Sequence, residues 1–254
     1  MPVPAAPSRT ARRAATVTAC AALAAAGVAH ADVLASFDFN DSGNRTLSTD
    51  ADANSSASLT AGAGFTVLYE NGNGSDRLVA EDPQVFGLDS GSTADRLAGA
   101  LAGGDYVDVT LTPDSQRKLT FESLSFTYAE RTSGTASGDY TLYLELRSGI
   151  DNFADPILTS FNGAAATANG NSTTHTARQA LATFTGASFT DLAGPVTFRI
   201  VMADNRANAA TTLTGVTLDN IVINGTNSAI PEPSAAALLA LGGLAALARR
   251  RTHA

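Results

Sequence analysis

Between Asp32 and about Thr226 the chain repeats one pattern: short runs with apolar residues at every second position, split by Gly, Asn, Asp and Ser. Tyr106 to Thr112 shows it most clearly, with Val107, Val109 and Leu111 on one face and Asp108, Thr110 and Thr112 on the other. Val33, Ala35, Phe37 and Phe39 alternate in the same way, as do Tyr140, Leu142, Leu144 and Leu146, and Val196, Phe198, Ile200 and Met202. In Leu119 to Tyr128 the phase slips once near Ser123, from Leu119 and Phe121 to Leu124, Phe126 and Tyr128, as a β-bulge would cause. Val216 to Ile223 is apolar on both faces and reads as a central last strand. Period two throughout, without a convincing internal amphipathic helix, predicts an all-β body. This number of strands in one unbroken stretch predicts a two-sheet β-sandwich of jelly-roll type. Pairing of the first strand with the last would bring Phe37-Asp38-Phe39 near Leu218-Asp219-Asn220. The longest loops are expected at 40–63, 70–105, 163–178 and 203–215.

The two ends break this pattern. Residues 1–31 read as a secretory signal peptide: Arg9, Arg12 and Arg13 form a basic start, Ala14 to Val28 is apolar, and Ala29-His30-Ala31 fits a signal-peptidase site. Val17-Thr18-Ala19-Cys20 also resembles a lipobox, but too few apolar residues separate it from Arg13. Residues 227–254 form a C-terminal tail with three parts in order: Pro231-Glu232-Pro233, an apolar run from Ala235 to Ala248, and Arg249-Arg250-Arg251. A helix over that run spans roughly 21 Å, short of a ~30 Å bilayer core. It can still cross a thin or pinched membrane, with the arginines at the cytoplasmic side.

Pro231, Glu232, Pro233, the short hydrophobic helix and the Arg249–Arg251 cluster together resemble the PEP-CTERM sorting domain. The resemblance implies an exported protein that passes through the inner membrane, held by its C-terminal helix. It implies as partner an exosortase-type transpeptidase that processes the tail, with the cell surface or exopolysaccharide matrix as destination. Parts of the body are similar to β-sandwich domains found with such tails. The matching pieces are Phe37 to Asp41, Leu146 to Phe153, Val196 to Arg199 and Leu218 to Gly225. Domains of that kind resemble carbohydrate-binding jelly rolls in shape.

Composition narrows the chemistry. Of 254 residues, 44% are hydrophobic and 16% charged, so a core is available and the chain is not of disordered type. The net charge of −8 understates the acidity of the body: six of the 16 basic residues are the terminal arginines, and Glu232 is the one acid of 24 outside it, which leaves about −13. Phosphate backbones repel such a surface, so no nucleic acid is expected as partner. Cys20, the only cysteine, lies in the leader, which excludes disulfides and a Cys nucleophile from the body. His175 and His253 are the only histidines after the leader, so no His-based metal or Ser-His-Asp centre is visible.

No enzyme is expected. A glycosidase needs only two carboxylates about 5–10 Å apart, and Glu70, Glu81, Glu122, Glu130 and Glu145 keep a secreted glycan-active hydrolase open as the second alternative. The first alternative is a carbohydrate-binding, lectin-like module, with Tyr69 and Tyr143, and also Tyr106, beside polar faces. Ca²⁺ is the one cofactor considered, at Asp38, Asn40, Asp41 and Asp219, where hard oxygen ligands gather if the end strands pair. Turn capping is the commoner use of these residues. The main expectation is an exported, non-catalytic β-sandwich of the surface or matrix.

Overall fold

A computed structural model describes residues 32–39, 50–63, 66–70, 77–81, 93–132, 142–162, 178–204 and 214–230. The strands, in chain order, are β1 (Asp32–Phe37), β2 (Asp50–Ala51), β3 (Ser55–Ala61), β4 (Thr66–Glu70), β5 (Arg77–Glu81), β6 (Tyr106–Pro113) and β7 (Arg117–Thr132). They continue with β8 (Leu142–Ser148), β9 (Pro156–Asn162), β10 (Arg178–Thr183), β11 (Val196–Asp204) and β12 (Thr214–Ala229). Among the described residues an α-helix, α1 (Thr93–Gly103), lies between β5 and β6. Ala29 and Ala31 of the expected signal peptide, and Pro231, Glu232, Pro233, Arg249, Arg250 and Arg251 of the expected sorting tail, lie outside the described residues.

The strands form two antiparallel sheets. Sheet I runs β10-β7-β12-β1-β2, with β5 also on β12 and β4 on β5; sheet II runs β3-β6-β11-β8-β9. Eight of the strands nest: β1 with β12, β6 with β11, β7 with β10 and β8 with β9, alternately in sheet I and sheet II. This nested pairing is the jelly-roll order of two Greek keys. The expected partnership of first and last strand holds, with Asp32 opposite Gly225 and Phe37 opposite Ile221.

The core is the alternating apolar set of both inner faces. Val107, Val109, Leu111, Leu142, Leu144, Leu146, Val196, Phe198 and Ile200 point inward from sheet II, as the period-two pattern required. From sheet I come Leu119, Phe121, Leu124, Phe126, Tyr128, Leu218, Ile221 and Ile223. Phe198 joins the two, edge-on to Phe121 at 5.0 Å and stacked on Phe184 at 4.9 Å. Such ring pairs add about 0.5–1.5 kcal/mol beyond area burial.

The backbone of sheet I is the ladder between β7 and β12, sixteen residues each. Two bulges interrupt it. Asn220 and Ile221 of β12 face the single Phe126, with Asn220 at φ 49°, and Glu122 of β7 is the extra residue between Phe121 and Ser123. One bulge lies on each strand, so the second restores the register that the first displaced, and both ends of the ladder pair in one frame. The expected phase slip near Ser123 is this second bulge.

Four expectations change. In β1 a bulge between Val33 and Ala35 turns Leu34 inward and leaves Val33 at the surface. The region 40–63 contains β2 and β3 rather than only loop; Ser55–Ala61 carries just Ala57 and Leu59 as inward residues among Ser and Thr, a weak signal. The region 70–105 contains β5 and α1. The helix escaped the pattern because its buried stripe is small: Leu97 and Ala100 pack on Val201 and Ala203, on the outside of sheet II. Finally β12 runs on to Ala229, past the boundary drawn at Thr226, and the N–H of Ile230 donates to the Gln116 carbonyl at 2.8 Å.

Gly225 sits where β1, β7 and β12 crowd together. A Cβ there would run into the Thr120 carbonyl oxygen and the Leu34 side chain. Backbone cannot yield as a flexible side chain does, so Gly225→Ala is expected to destabilise by about 3 kcal/mol, the upper part of the overpacking range. Urea denaturation measures it, and an unchanged midpoint would show that the ladder can open at Gly225 without loss.

Candidate functional site on the outer face of sheet II

Alternation leaves every second residue of sheet II pointing away from the core. On β6 these are Tyr106, Asp108, Thr110 and Thr112; on β11 Thr197, Arg199, Val201 and Ala203; on β8 Tyr143, Glu145 and Arg147. Helix α1 covers one end of this face. The middle carries a set of fixed charged and aromatic groups.

Arg199 stands directly opposite Asp108 in the β11–β6 ladder. Its Nε and Nη2 donate to Asp108 Oδ1 and Oδ2, both at 2.8 Å, a bidentate pair. Tyr106 lies under the guanidinium with its ring centroid 3.5 Å from Cζ, and Phe153 lies over it at 4.0 Å. Each such contact contributes about 0.5–2 kcal/mol depending on desolvation. The Asp108 hydrogen bonds raise the Arg199 pKa above its ordinary value; burial opposes this, and the charge of Asp108 adds to it. The shift is upward, so the guanidinium stays charged at every ordinary pH. Arg199 Nη1 has no hydrogen-bond acceptor among the described residues.

Phe153 is brought there by a short, strained loop. After β8 a single 3₁₀ turn, Gly149–Asp151, is followed by Asn152 and Phe153, both left-handed at φ 59° and 60°. Asn tolerates this conformation; an aromatic residue rarely adopts it, at a cost of about 1–3 kcal/mol. Arg147 holds the loop in place. Its Nη1 donates to the carbonyls of Phe153 at 2.8 Å and Ala154 at 2.7 Å, while Nε and Nη2 bind Glu145 Oε2. The Phe153 N–H returns to the Ser148 carbonyl at 2.8 Å. The strain is therefore maintained by a charged clamp, and its result is a ring fixed over Arg199.

The sequence-derived residues distribute differently. Tyr143 lies on this face, half-buried against α1 beside Tyr106. Tyr69 lies on β4 in sheet I, opposite Leu78 of β5, so the two tyrosines share no face. Asp38 and Asp219 come to the same end of the β1–β12 pair, while Asn40 and Asp41 lie outside the described residues. Asp219 Oδ1 accepts the Asn220 N–H at 2.8 Å, which steadies the bulge in β12. Among the described residues no three His, Cys, Asp or Glu side chains gather as metal ligands. Of the carboxylates offered for hydrolysis, Glu145 is held by Arg147, and Glu122 is exposed at the bulge of β7.

Sequence reasoning did not assemble Arg199, Asp108, Arg147 and Phe153. One signal was present. Stretches singled out in the sequence fall together: Phe37 pairs with Ile221 in the β1–β12 ladder, and Leu146–Phe153 lies beside Val196–Arg199 around the Arg199 stack.

No family model matches the chain, and no curated protein matches it. Among solved structures it is similar to a carbohydrate-binding module, CBM27-1 of Caldicellulosiruptor saccharolyticus in complex with mannohexaose. Identity is 13% and the TM-score 0.38, over 76% of this chain and 96% of that one. It is also similar to the CBM22-1 xylan-binding domain from Paenibacillus barcinonensis Xyn10C (15%, TM-score 0.34, 78% and 97%). A third is the K1 cleaved adhesin domain of Lys-gingipain from Porphyromonas gingivalis (15%, TM-score 0.31, 76% and 96%). At TM-scores this low the likeness has no bearing on what this chain binds.

Arg147→Ala is expected to destabilise by about 1–2 kcal/mol, a charged hydrogen-bond loss reduced by partial solvent exposure. Amide exchange at Phe153 should accelerate far more than in β7. Equal protection in the variant would show that the loop holds its left-handed pair without the clamp.

Proposed function

We propose that the chain is an exported, non-catalytic β-sandwich protein of the cell surface or exopolysaccharide matrix, and that the outer face of sheet II binds glycan. The observation that carries this reading is the Arg199 stack. A guanidinium is fixed between two rings and a carboxylate, on a sheet face, by a loop that is strained to place one of those rings. Purely structural sheet faces need no such arrangement. Preorganised planar donors and acceptors on a rigid sheet suit recognition of hydroxyl groups, because little ordering is left to do on binding. This favours a glycan-binding role over a purely structural one.

The face does not read as a hydrolytic centre. Asp108 and Glu145 are each bound by their own arginine. Export and sorting rest on the sequence: the signal peptide ending at Ala31, and a tail with Pro231, Glu232, Pro233 and Arg249–Arg251, which an exosortase-type enzyme would process at the inner membrane.

Co-sedimentation tests the binding. The full chain, purified in detergent, is expected to bind the host's exopolysaccharide saturably. Arg199→Ala should weaken binding about tenfold or more, whereas Gln179→Ala on β10 should not change it. Saturable binding insensitive to Arg199 would move the site elsewhere, and absence of binding would return the protein to a structural role.

A further inference from the structure

Beside the Arg199 stack, toward the β3 edge, the outer face of sheet II continues as a strip of small hydroxyl side chains. Ladder register places them in rows. Thr60, Asp108, Arg199 and Arg147 lie opposite one another across β3, β6, β11 and β8. Ser58, Thr110 and Thr197 form the next row, and Ser56 and Thr112 the one after. Thr110 Oγ1 and Thr197 Oγ1 share a hydrogen bond of 2.9 Å. Successive rows are about 7 Å apart and strands about 4.8 Å. The result is a polar shelf, bounded at one side by Phe153 and at one end by α1.

The charge of this shelf differs from that of its surroundings. Arg199 is neutralised by Asp108 and Arg147 by Glu145, so the four ions sum to zero. The body around them carries about −13. An anionic chain would meet a repelling field and a guanidinium whose charge is already balanced. A cation would find the Asp108 and Glu145 carboxylates already taken by the arginines. An uncharged polyhydroxyl chain meets neither penalty.

The hydrogen-bonding capacity is matched to such a chain. A hydroxyl both donates and accepts. Arg199 offers its unengaged Nη1 donors, and each Asp108 oxygen, accepting one bond from Arg199, keeps a lone pair free. Nη2, which donates one N–H to Asp108 Oδ2, keeps its second N–H beside that oxygen in the plane of the ion pair, so a donor and an acceptor stand next to each other, the arrangement that two neighbouring hydroxyls require. The threonine hydroxyls serve in either sense. One face of the Tyr106 ring and one of the Phe153 ring are taken by the guanidinium, so those faces are closed to a sugar.

We infer that the strip formed by Ser58, Thr60, Asp108, Thr110, Thr197 and Arg199 binds an uncharged polysaccharide, holding vicinal hydroxyl pairs between Asp108 and Arg199. This rests on the glycan-binding reading above and narrows it to neutral chains, read by hydrogen bonds more than by ring stacking.

The experiment separates the two claims. The host's exopolysaccharide is divided by anion exchange into neutral and acidic fractions, and each is titrated against the full chain in detergent by calorimetry. The neutral fraction is expected to bind, with a Kd that changes less than about threefold between low and high salt, since no counterions are released or charges screened. Asp108→Asn and, separately, Thr110→Val are expected to weaken it about tenfold or more. The second substitution keeps side-chain shape and leaves the ion pair intact, so its effect stands even if Asp108→Asn fails to fold. Binding of the acidic fraction alone, or a steep loss of affinity with salt, overturns the neutral class while glycan binding stands. Neutral binding indifferent to Thr110→Val overturns the strip. Binding to neither fraction overturns the glycan reading itself.

Discussion

The ladder between β7 and β12 is the constraint from which the rest of the sandwich follows. Its two strands hold the centre of sheet I, and each long edge of β12 is occupied: β7 along one side, β1 and β5 in succession along the other. A sixteen-residue strand pair would accumulate twist and drift out of phase with the opposing sheet. The bulges at Asn220–Ile221 and at Glu122 break it into three shorter segments. Each bulge flips the inward phase of its own strand, from Leu218 to Ile221 and from Phe121 to Leu124, so Leu218, Ile221 and Ile223 of one strand and Phe121, Leu124 and Phe126 of the other all meet the core. Because the two insertions lie on opposite strands, they cancel. A single one would have carried Lys118 and Arg117 out of register with Ser228 and Ala229.

Sheet II is built on the opposite logic. Its inner face is as regular as sheet I's, but its outer face is specialised. At one end a helix with small residues packs close to Val201 and Ala203. In the middle, favourable and unfavourable terms are set against each other. Two ring contacts and a bidentate pair favour the Arg199 stack; partial burial of its charges and the left-handed Phe153 oppose it. Ion pairs of this exposure are worth little by themselves. The net gain in stability is small, and what the arrangement supplies is position: a guanidinium edge with one orientation.

Much of the sandwich was legible in period two alone. Val107, Val109 and Leu111, or Val196, Phe198, Ile200 and Met202, show one inward face each, and the slip at Ser123 was visible because large residues flank it. What escaped had a physical reason in each case. β3 carries its register in Ala57 and Leu59 among hydroxyl residues, and α1 buries Leu97 and Ala100, side chains too few or too small to raise a pattern. The bulge at Leu34 hid because Val33, Leu34 and Ala35 are all apolar, so composition cannot say which turns inward. The Arg199 stack was invisible for a different reason. Asp108 read correctly as an outward polar position and alternation puts Arg147 and Arg199 outward as well, but their meeting depends on strand order, and Phe153 depends on two left-handed residues that no periodicity marks. Only the nearness of Leu146–Phe153 to Val196–Arg199, two stretches singled out in the sequence, carried a trace of it.

The nesting of the strands also separates the ends of the domain from its specialised face. Asp32 pairs with Gly225, and Ile230 is tied to Gln116 at the start of β7, so the chain enters and leaves through sheet I. The shelf with Thr60, Asp108, Thr110 and Arg199 lies on the far side of the core, on sheet II. A segment attached at either end therefore joins the sheet opposite the shelf. Anchoring and binding make different demands on a sandwich: anchoring pulls on strand ends, and binding needs a face that does not move. A pull on either end of this domain would fall on β1 and the β7–β12 ladder, the longest pairing among the described residues, while the outer face of sheet II lies on strands away from both ends.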